Sequence, residues 1–338
     1  MGADARRSRT RSYRSGYTTD PRIPNRLSRV SIGMSDSRET DERGNFDARY
    51  LAFLETITQL RPRLHRYCAR MTGSVLDGED VVQDALFEAY RKLDKYDDSR
   101  PLAPWLFRIA HNRCIDLLRR RGVREEAEAT VAGPDSVSPV EPPGFGLGRA
   151  VEHLVVTLPP MERACVLLKD VFDDSLEEIA EIVGSSVGGV KAAIHRGRSK
   201  LTTRPALSTA TCPANPEFAA LLRLYVERFN RRDWDGLREL ISADARVRVA
   251  DRFAGRVADS PYFGNYERWS VPWRMAVGEV DGQPLVVRLQ KDAGEWTPAG
   301  VVRLEWEGPS MLRITDYGHC PWVLESATSV VVGTAFLN

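Results

Sequence analysis

Two short runs of apolar positions at helical spacing stand out in residues 174–201. The first run follows a capping-box pattern, in which the hydroxyl of Ser175 and the carboxylate of Glu178 each accept a hydrogen bond from a free backbone amide at a helix start. Gly184 stands after this run, where a left-handed residue commonly ends a helix. The pattern therefore predicts a helical hairpin. Its apolar positions are Leu176, Ile179, Ala180 and Val183 in the first helix, and Val187, Val190, Ile194 and Leu201 in the second.

Charge is divided unevenly between these two predicted helices. Five acidic residues lie in 173–181, whereas 191–204 holds five basic residues and no acidic one. A solvated hairpin usually mixes the signs, so the separation favours a helix-turn-helix unit whose second helix enters the DNA major groove. An ordinary hairpin is the alternative. We expect Ala192 and Ala193 to be exposed there, which leaves readout of the bases to the shape of the DNA.

The first half of the chain has the pattern of three further helices. One runs from Tyr50 to Leu64, and Pro62 is expected to limit its continuity before a segment at 65–71. A second begins at Asp77 and Gly78 and builds an apolar stripe up to Leu93. Its opposite face is polar and would be a solvated surface if no partner covers it. That face carries Asp80, Gln83, Asp84, Glu88 and Arg91, with Phe87 among them.

The third helix follows a loop at 96–103 and is opened by Pro104 in a favourable first-turn position. Aromatic Trp105 and Phe107 stand at its start beside a row of basic residues. Such a combination suits stacking on an unpaired base while phosphates are neutralised, although Trp105 could equally belong to the core. The polar positions of this helix are Arg108, Asn112, Arg113, Arg119, Arg120 and Arg121.

Three segments have the composition of tails or linkers. Residues 1–45 are rich in arginine and poor in large apolar side chains, so we expect a disordered tail. That tail would be either passive or a basic arm for nucleic acid, and translation could instead begin at Met34. Residues 122–149 are rich in proline and glycine and mildly acidic, which predicts a flexible linker. Residues 205–216 form a shorter spacer.

The last third of the chain changes from helical to alternating patterning. A helix at 218–229 and a short one at 234–241 precede alternating stretches, which predict a curved antiparallel sheet. The pattern therefore indicates an α+β domain at 217–326. The apolar tail at 327–338 would be a strand or a docking segment. The predicted strands are 246–249, 285–290, 301–306 and 311–317.

Composition narrows the function classes. The 338 residues carry a formal charge of +1, so any nucleic-acid signal must be local. The five cysteines have no zinc-binding spacing, and their odd number fits a reducing cytoplasm. We expect no metal and no cofactor. No apolar run approaches the roughly 18 residues that a membrane span needs. We therefore expect a cytoplasmic protein of several domains without membrane contact.

Taken together, the two helical parts resemble the extracytoplasmic function (ECF) sigma factors of bacterial RNA polymerase. The resemblance covers about 47–201, and its motifs occur in the family's order and spacing. It implies two all-α domains, region 2 at 46–121 and the region 4 helix-turn-helix at 150–204. The motifs are Glu79–Asp84, Trp105–Arg120, Leu158–Arg163, Leu176–Ala180, Val190–Lys191 and His195–Arg198.

The resemblance also implies partners and roles for these surfaces. The partners are core RNA polymerase and promoter DNA, and the sigma factor itself has no catalytic residue. Polymerase would bind the face with Asp80, Gln83, Asp84 and Phe87. The downstream promoter element would be read by Trp105, Arg108, Asn112, Arg113, Arg119 and Arg120, and the upstream element by Lys191, His195, Arg196, Arg198 and Lys200.

The C-terminal domain resembles the SnoaL-like group of the nuclear transport factor two-like fold. The likeness lies in segments 225–234, 262–266 and 314–317. This fold is a cone that can hold a small molecule, so an unknown ligand or an enzymatic activity has to be considered. We favour a regulatory domain, held near the sigma regions by the short spacer. The residues that could line a pocket are Tyr262, Trp273, Trp306, Tyr317 and His319.

Two other functions stay open at this point. A helix-turn-helix regulator could bind DNA without polymerase, but it would have no use for the polar face and the Trp105–Arg121 helix of the first half. A DNA-binding module could also be fused to a small-molecule enzyme. Complex formation with core polymerase separates the first alternative from a sigma factor, and turnover by the C-terminal domain would reveal the second.

Overall fold

The fold is seen in a computed structural model, in which Phe46–Asn338 forms one compact unit. The predicted tail before residue 37, most of the predicted linker, and the spacer lie outside the described residues. So does the end of the C-terminal tail. The structure describes residues 37–97, 99–131, 157–202, 216–292 and 294–333.

The first helical domain consists of three helices, α1 (Ser37–Thr72), α2 (Val75–Arg91) and α3 (Leu102–Val131). A single 3₁₀ turn at Leu93–Lys95 follows α2. The N-cap of α2 is Ser74, whose hydroxyl oxygen accepts a hydrogen bond from the Asp77 backbone amide at 3.3 Å. The helix thus begins two residues before the predicted start, because this serine supplies the acceptor that the first turn needs.

Pro62 does not interrupt α1, and the prediction that it would limit this helix was wrong. The residues that follow it, Leu64, Tyr67, Cys68 and Met71, are fully buried in the core. A proline removes one backbone hydrogen bond, which costs roughly 3 kcal/mol in a helix interior. Burial of several large side chains on the same helix offsets that cost, at about 1.5–3 kcal/mol for each.

Helices also extend into two segments that were predicted to be irregular. The end of the predicted tail, Ser37–Asn45, is the first part of α1, and α3 continues past Arg121 to Val131. Residues 124–131 are mostly glutamate, alanine and arginine, which are strong helix formers and tolerate the preceding Gly122. Local helix propensity therefore moves the start of the connection further along the chain.

The second helical domain contains α4 (Pro160–Val166), a π-helical turn (Leu167–Val171), α5 (Leu176–Val183) and α6 (Val187–Thr202). The predicted capping box at Ser175 and Glu178 is confirmed, with both hydrogen bonds present. Gly184 ends α5 at a φ of 67°, the left-handed conformation expected for it. The helical hairpin predicted from the sequence is therefore present.

The two helical domains share one hydrophobic core. Buried residues of α1 and α3, such as Tyr67 and Phe107, belong to the same cluster as buried residues of α4–α6. The ring centroids of Tyr67 and Phe172 lie 6.2 Å apart across this boundary. Arg63 of α1 also forms an ion pair with Asp174. The first and second helical domains are therefore packed against one another.

The C-terminal domain has the α+β architecture that the sequence predicts. Helices α7 (Pro216–Asn230) and α8 (Trp234–Glu239) lead into a seven-stranded sheet. Two short helices, α9 (Tyr262–Glu267) and α10 (Pro321–Ser326), lie between strands along the chain. The strands are β1 (Ile241–Val249), β2 (Phe253–Arg256), β3 (Trp273–Val280), β4 (Gln283–Asp292), β5 (Glu295–Glu307), β6 (Ser310–Asp316) and β7 (Val330–Val332).

The strand order of the sheet is β2-β1-β6-β5-β4-β3-β7. Neighbouring strands are antiparallel except β1 and β6, which are parallel. Val330–Val332 of the apolar tail forms the edge strand β7, which decides between the two alternatives for this segment. Gly278 allows β3 and β7 to pair closely, because a Cβ there would lie 2.5 Å from the Val331 carbonyl oxygen.

The two faces of this sheet pack against different partners. On the inner face, Val286 and Val302 join an aromatic cluster from α7 and α9. On the outer face, Val287 and Val301 share a core with Ala69, Val75 and Leu76 of the first helical domain. The alternation of strand side chains therefore gives the sheet two apolar faces, and the outer one docks on the corner between α1 and α2. No helix in the described part of the chain is long and apolar enough to cross a bilayer.

Candidate functional site

The second helix of the hairpin, α6, presents a basic side to solvent. Lys191 and His195 are exposed, and Val190 and Ile194 are buried as predicted. Ala193 is only 2% exposed, so the expectation that it stands beside Ala192 on the outer side was wrong. It packs into the core because it lies three residues after Val190, on the same side of the helix. Ala192 remains exposed and offers no hydrogen-bonding side chain there.

Three further cations of α6 are held by carboxylates of the same domain. Glu162 accepts from the Lys200 ammonium at 2.8 Å and from the Arg196 guanidinium at 3.1 Å. Hydrogen bonding from Lys200, together with that from Arg196, lowers the pKa of the Glu162 carboxyl. Arg198 is paired with Asp170, and that hydrogen bond raises the pKa of the guanidinium. All three cations remain about half exposed, so they are oriented but accessible.

A shallow basic groove of about 630 Å³ runs beside α6. Lys191, His195 and Arg198 line it from α6, and Lys169 lines it from the π-helical turn. Apolar Leu176 and Ile194 form its floor. Cations at the rim of an apolar groove can neutralise phosphates while the groove follows a nucleic-acid backbone. This groove brings together part of the predicted upstream-element residues.

The start of α3 combines an aromatic pair with polar side chains. The rings of Trp105 and Tyr96 lie 4.6 Å apart between centroids, and Trp105 is half-buried at the edge of the core. Phe107 is fully inside the core and cannot meet a base without unfolding. Arg108 and Asn112 are exposed one and two turns further on. The structure therefore brings Trp105, Arg108 and Asn112 to one accessible end of α3.

The arginines further along α3 are held more loosely. Arg113 forms an ion pair with Glu88 of α2 at 2.7 Å. Arg119 lies 3.7 Å from the Asp116 carboxylate, and Arg120 donates to the Asp116 backbone oxygen at 3.2 Å. Exposed pairs of this kind contribute roughly 0–1 kcal/mol, so these guanidinium groups can change partners readily.

The predicted polymerase-binding face of α2 is divided into an open part and a covered part. Phe87 is 64% exposed, and Asp84 is exposed beside it. Asp80 instead forms ion pairs with Arg248 and Arg303 of the C-terminal domain. The structure therefore leaves Asp84 and Phe87 accessible and places Asp80 in a domain junction.

Three more contacts belong to this junction. Gln83 accepts from Arg248 at 3.4 Å, and the Tyr317 hydroxyl donates to the Asp80 carboxylate at 3.0 Å. Burial raises the pKa of the Asp80 carboxyl despite the nearby guanidinium groups. Arg303 also pairs with Asp77 at 2.9 Å. Half of the predicted polymerase-binding residues thus contact the C-terminal domain.

A second group of polar contacts surrounds Glu79, which is fully buried. The Glu79 carboxylate accepts from the Arg61 guanidinium and from the Trp322 indole nitrogen, each at 2.6 Å. Arg61 also bridges to Asp251 at 2.8 Å and lies 4.6 Å from the centre of the Trp322 ring. The Cys320 sulfur lies 3.6 Å from the same carboxylate. Glu79 is therefore a buried link between α1, α2 and the C-terminal domain.

The same group has the composition of a metal site but holds its own cation. Ligand atoms of Glu79, Asp251 and Cys320 lie within 4.8 Å of one another. Arg61 stands between Glu79 and Asp251 and neutralises both carboxylates. Burial raises the pKa of the Cys320 thiol above its usual range, which disfavours the thiolate that a metal would need. These residues fit a buried ion pair better than a metal.

The candidate pocket residues of the C-terminal domain do not all face one cavity. Tyr262 and Trp273 lie in the inner-face cluster, and Trp306 packs against it. Tyr317 belongs to the outer-face core and contacts the first helical domain. His319 is exposed by its accessible surface, but partial desolvation by neighbouring groups, together with the nearby Arg252 guanidinium, lowers its pKa. The structure brings together the first three residues and separates Tyr317 from them.

The inner face also holds a buried polar group around Asp316, which stands three residues before His319 in the sequence. The Asp316 carboxylate accepts from the hydroxyls of Tyr262 and Tyr266 at 3.0 and 2.5 Å and from the Gly318 amide at 2.7 Å. Arg288 is 3% exposed and lies 4.3 Å from the centre of the Trp269 ring. Alternation along β4 and β6 would have placed Arg288 and Asp316 on the inner side.

Comparison with known proteins finds matches to both helical domains. Residues 56–124 match the family Sigma-70 region 2, and residues 148–201 match the family Sigma-70, region 4. The chain is 33% identical over 162 residues to the ECF RNA polymerase sigma factor SigW of Bacillus subtilis, covering 44% of this chain and 87% of SigW. It is 31% identical over 256 residues to the ECF RNA polymerase sigma factor SigG of Mycobacterium tuberculosis, covering 66% of this chain and 68% of SigG.

A solved structure spans more of the chain. The crystal structure of the extracytoplasmic function sigma factor SigJ of Mycobacterium tuberculosis is 18% identical, with a TM-score of 0.31, and covers 78% of this chain and 95% of that one. The first helical domain corresponds to the region 2 match and the second to the region 4 match. This chain belongs to the ECF sigma factors, the subunits that give RNA polymerase its promoter specificity.

Proposed function

We propose that this sigma factor binds core polymerase through α2 and that its own C-terminal domain restrains this binding. The observation that carries the proposal is the position of Asp80, which resemblance assigns to polymerase and which pairs with Arg248 and Arg303. One carboxylate cannot serve both partners at once. Polymerase therefore has to displace the C-terminal domain from Asp80, or bind through the open residues Asp84 and Phe87 alone.

The number and variety of contacts in the junction support stable docking of the C-terminal domain rather than a transient contact. It combines a shared apolar core, the ion pairs at Asp77 and Asp80, and the buried group around Glu79. His65 of α1 adds a contact of 3.1 Å to the Ser326 hydroxyl. The C-terminal domain is tethered to the helical domains, so its effective concentration at this surface is high. Together these terms favour a resting state with the domain in place.

We propose a regulatory rather than a catalytic role for the C-terminal domain. A general base needs an available lone pair directed at a substrate proton. The Asp316 carboxylate, the buried acid of the inner face, accepts three hydrogen bonds from within the domain. Those contacts support a structural role for this residue. Members of the family are transcription factors, and this role accords with that class.

Promoter contacts are assigned to the two accessible helix surfaces. At the downstream element, Trp105 with Arg108 and Asn112 would meet an unpaired base, and Arg113, Arg119 and Arg120 would meet phosphates. At the upstream element, Lys191 and His195 would reach base edges from the exposed side of α6. Arg196, Arg198 and Lys200 would contact phosphates, because intradomain carboxylates already orient them.

Complex formation with core polymerase is the first test of this function. Gel filtration of the full-length chain with core enzyme is expected to give a stable complex that starts transcripts at defined promoters. A chain ending at Arg204 should bind more tightly, because it lacks the domain that pairs with Asp80. Failure of both chains to bind core polymerase would defeat the sigma function and favour a DNA-binding regulator. Equal affinity of the two chains would defeat the restraint.

Substitution of Lys191 tests the placement of α6 on DNA. Lys191→Ala is expected to weaken binding to the upstream element by about 1–3 kcal/mol if Lys191 contacts a base. Arg196→Ala should instead weaken binding to all sequences and reduce the slope of affinity against salt. Fluorescence anisotropy with specific and scrambled duplexes at several salt concentrations separates the two cases. Unchanged affinity and slope for both variants would contradict the placement.

A further inference from the structure

A cavity of about 540 Å³ lies between the first helical domain and the C-terminal domain. Its walls come from α2 and α3 on one side and from β1, β2, β5 and β6 on the other. Small-molecule sites have volumes of roughly 300–1,000 Å³. The junction that restrains the sigma domains thus contains a space large enough for a ligand. This space is the junction cavity.

The junction cavity has an excess of positive charge supplied by both domains. Six guanidinium groups and four carboxylates line it. Three of the carboxylates are already paired, since Arg303 bridges Asp77 and Asp80, and Arg313 lies 3.6 Å from Glu305. Asp84 is the fourth. The arginines are Arg113 and Arg120 of α3, and Arg246, Arg248, Arg303 and Arg313 of the sheet.

Two of these arginines are direct neighbours in the sheet. Arg246 of β1 is the cross-strand partner of Arg313 of β6, and both point to the outer face. Like charges directly opposite one another destabilise a sheet. No carboxylate among the described residues pairs with Arg246, and Arg313 has only its distant contact to Glu305. The sheet therefore carries an unfavourable charge pair at this position unless an anion lies against it.

The helical wall of the cavity also carries arginines that have no carboxylate partner inside the cavity. Arg120 donates only to a backbone oxygen of its own helix, and Arg113 pairs with Glu88 outside the cavity. Cations of the two domains thus face each other across the cavity and repel when it is empty. An anion between them would turn that repulsion into attraction. Guanidinium groups match phosphate particularly well, because their planar N–H donors can bind two phosphate oxygens at once.

We propose that the junction cavity binds a small phosphate-bearing anion that bridges Arg113 and Arg120 of the first helical domain to Arg246 and Arg313 of the C-terminal domain. The site deepens the restraint proposed above and rests on it for its regulatory meaning. A bound anion strengthens the docking of the C-terminal domain on α2 and α3. By linkage, it lowers the affinity for core polymerase by the same factor by which polymerase lowers anion affinity.

Binding of inorganic pyrophosphate to the full-length chain is the direct test. Isothermal titration calorimetry at constant ionic strength is expected to show one saturable site. Arg120→Ala and Arg246→Ala should each weaken binding by about tenfold or more, because each removes a charged hydrogen-bond donor. Arg238→Ala is the matched control, since Arg238 is an exposed arginine of α8 that pairs with Asp235 and does not line the cavity. The control should bind like the unmodified chain.

Absence of saturable binding would overturn the site, and so would equal weakening by all three variants, which indicates diffuse charge. If Arg246→Ala weakens binding to promoter DNA and leaves pyrophosphate binding unchanged, these arginines serve DNA and the site is also overturned.

The regulatory meaning has its own readout. Pyrophosphate should weaken the complex of the full-length chain with core polymerase, and Arg246→Ala should remove that effect. Pyrophosphate could bind in a way that requires arginines of both domains and yet leave the affinity for polymerase unchanged. That result would overturn the coupling between anion binding and polymerase binding, but not the anion site itself. Failure of the restraint and failure of the site are thus distinguished by separate measurements.

Discussion

Arg303→Glu is expected to raise the affinity of the full-length chain for core polymerase by at least tenfold. Arg303 pairs with both Asp77 and Asp80, and its side chain is 24% exposed. Burial opposes ionisation of Asp77, but the guanidinium groups of Arg121 and Arg303 outweigh it and lower the pKa of that carboxyl. A glutamate at 303 would place a third carboxylate against these two. Breaking a buried pair costs roughly 3–5 kcal/mol, and a tenfold change in affinity needs only about 1.4 kcal/mol.

The measurement is an equilibrium titration of labelled sigma factor with core polymerase. Arg238→Glu is the control, because it makes the same charge change at an exposed residue of α8 that does not line the junction cavity. A thermal unfolding curve of each variant shows whether the C-terminal domain remains folded. Should Arg303→Glu bind polymerase no better than the control, the restraint through Asp80 would be wrong.

Glu79→Ala is expected to destabilise the protein by about 3–5 kcal/mol, because it leaves a buried charge without its main partner. Arg61 would retain only Asp251, and the Trp322 indole nitrogen would lose its acceptor. The unmet hydrogen bonds add to the loss, since an unsatisfied buried donor costs roughly 1–3 kcal/mol. Urea denaturation followed by tryptophan fluorescence should report the change, because Trp322 lies in the affected group.

Two further variants bracket this expectation. Glu79→Gln keeps an acceptor oxygen for Arg61 and Trp322 and should cost less than Glu79→Ala. Glu325→Ala removes an exposed acid from α10 in the same junction and should change stability by no more than about 0.5 kcal/mol. A loss for Glu79→Ala no larger than that of Glu325→Ala would show that the buried group does not hold the two domains together.

Local signals in the sequence were sufficient for the hairpin and for the class of each domain. Ser175, Glu178 and Gly184 act within one turn of their own position, so their pattern determines the helix ends directly. The alternation along the C-terminal strands is equally local. Pro62 is different, because the core that keeps α1 continuous there is assembled from distant segments. Local propensity could not predict that outcome.

The domain junction could not be predicted from the sequence either, because it also depends on contacts between distant segments. Asp80 was placed correctly on a polar face, but its partners Arg248 and Arg303 are more than a hundred residues away. Alternation would have shown both arginines on one side of their strands, opposite the buried Val247 and Val302. It could not show that this side is covered. Exposure depends on which surfaces meet, and a single sequence carries little information about that.

The core shared by the two helical domains has a consequence for the heat capacity of transcription initiation. In the function proposed above, α3 and α6 contact two promoter elements that lie apart on DNA, and we expect the two helical domains to separate when both elements are bound. Separation would bring Phe107, Leu158 and Leu167, now almost completely buried, into contact with water. Exposed apolar surface raises heat capacity, at about 0.45 cal/mol/K for each Å². Assembly of this sigma factor with polymerase should therefore show a less negative heat-capacity change than its contact area implies, and its enthalpy should vary correspondingly less with temperature.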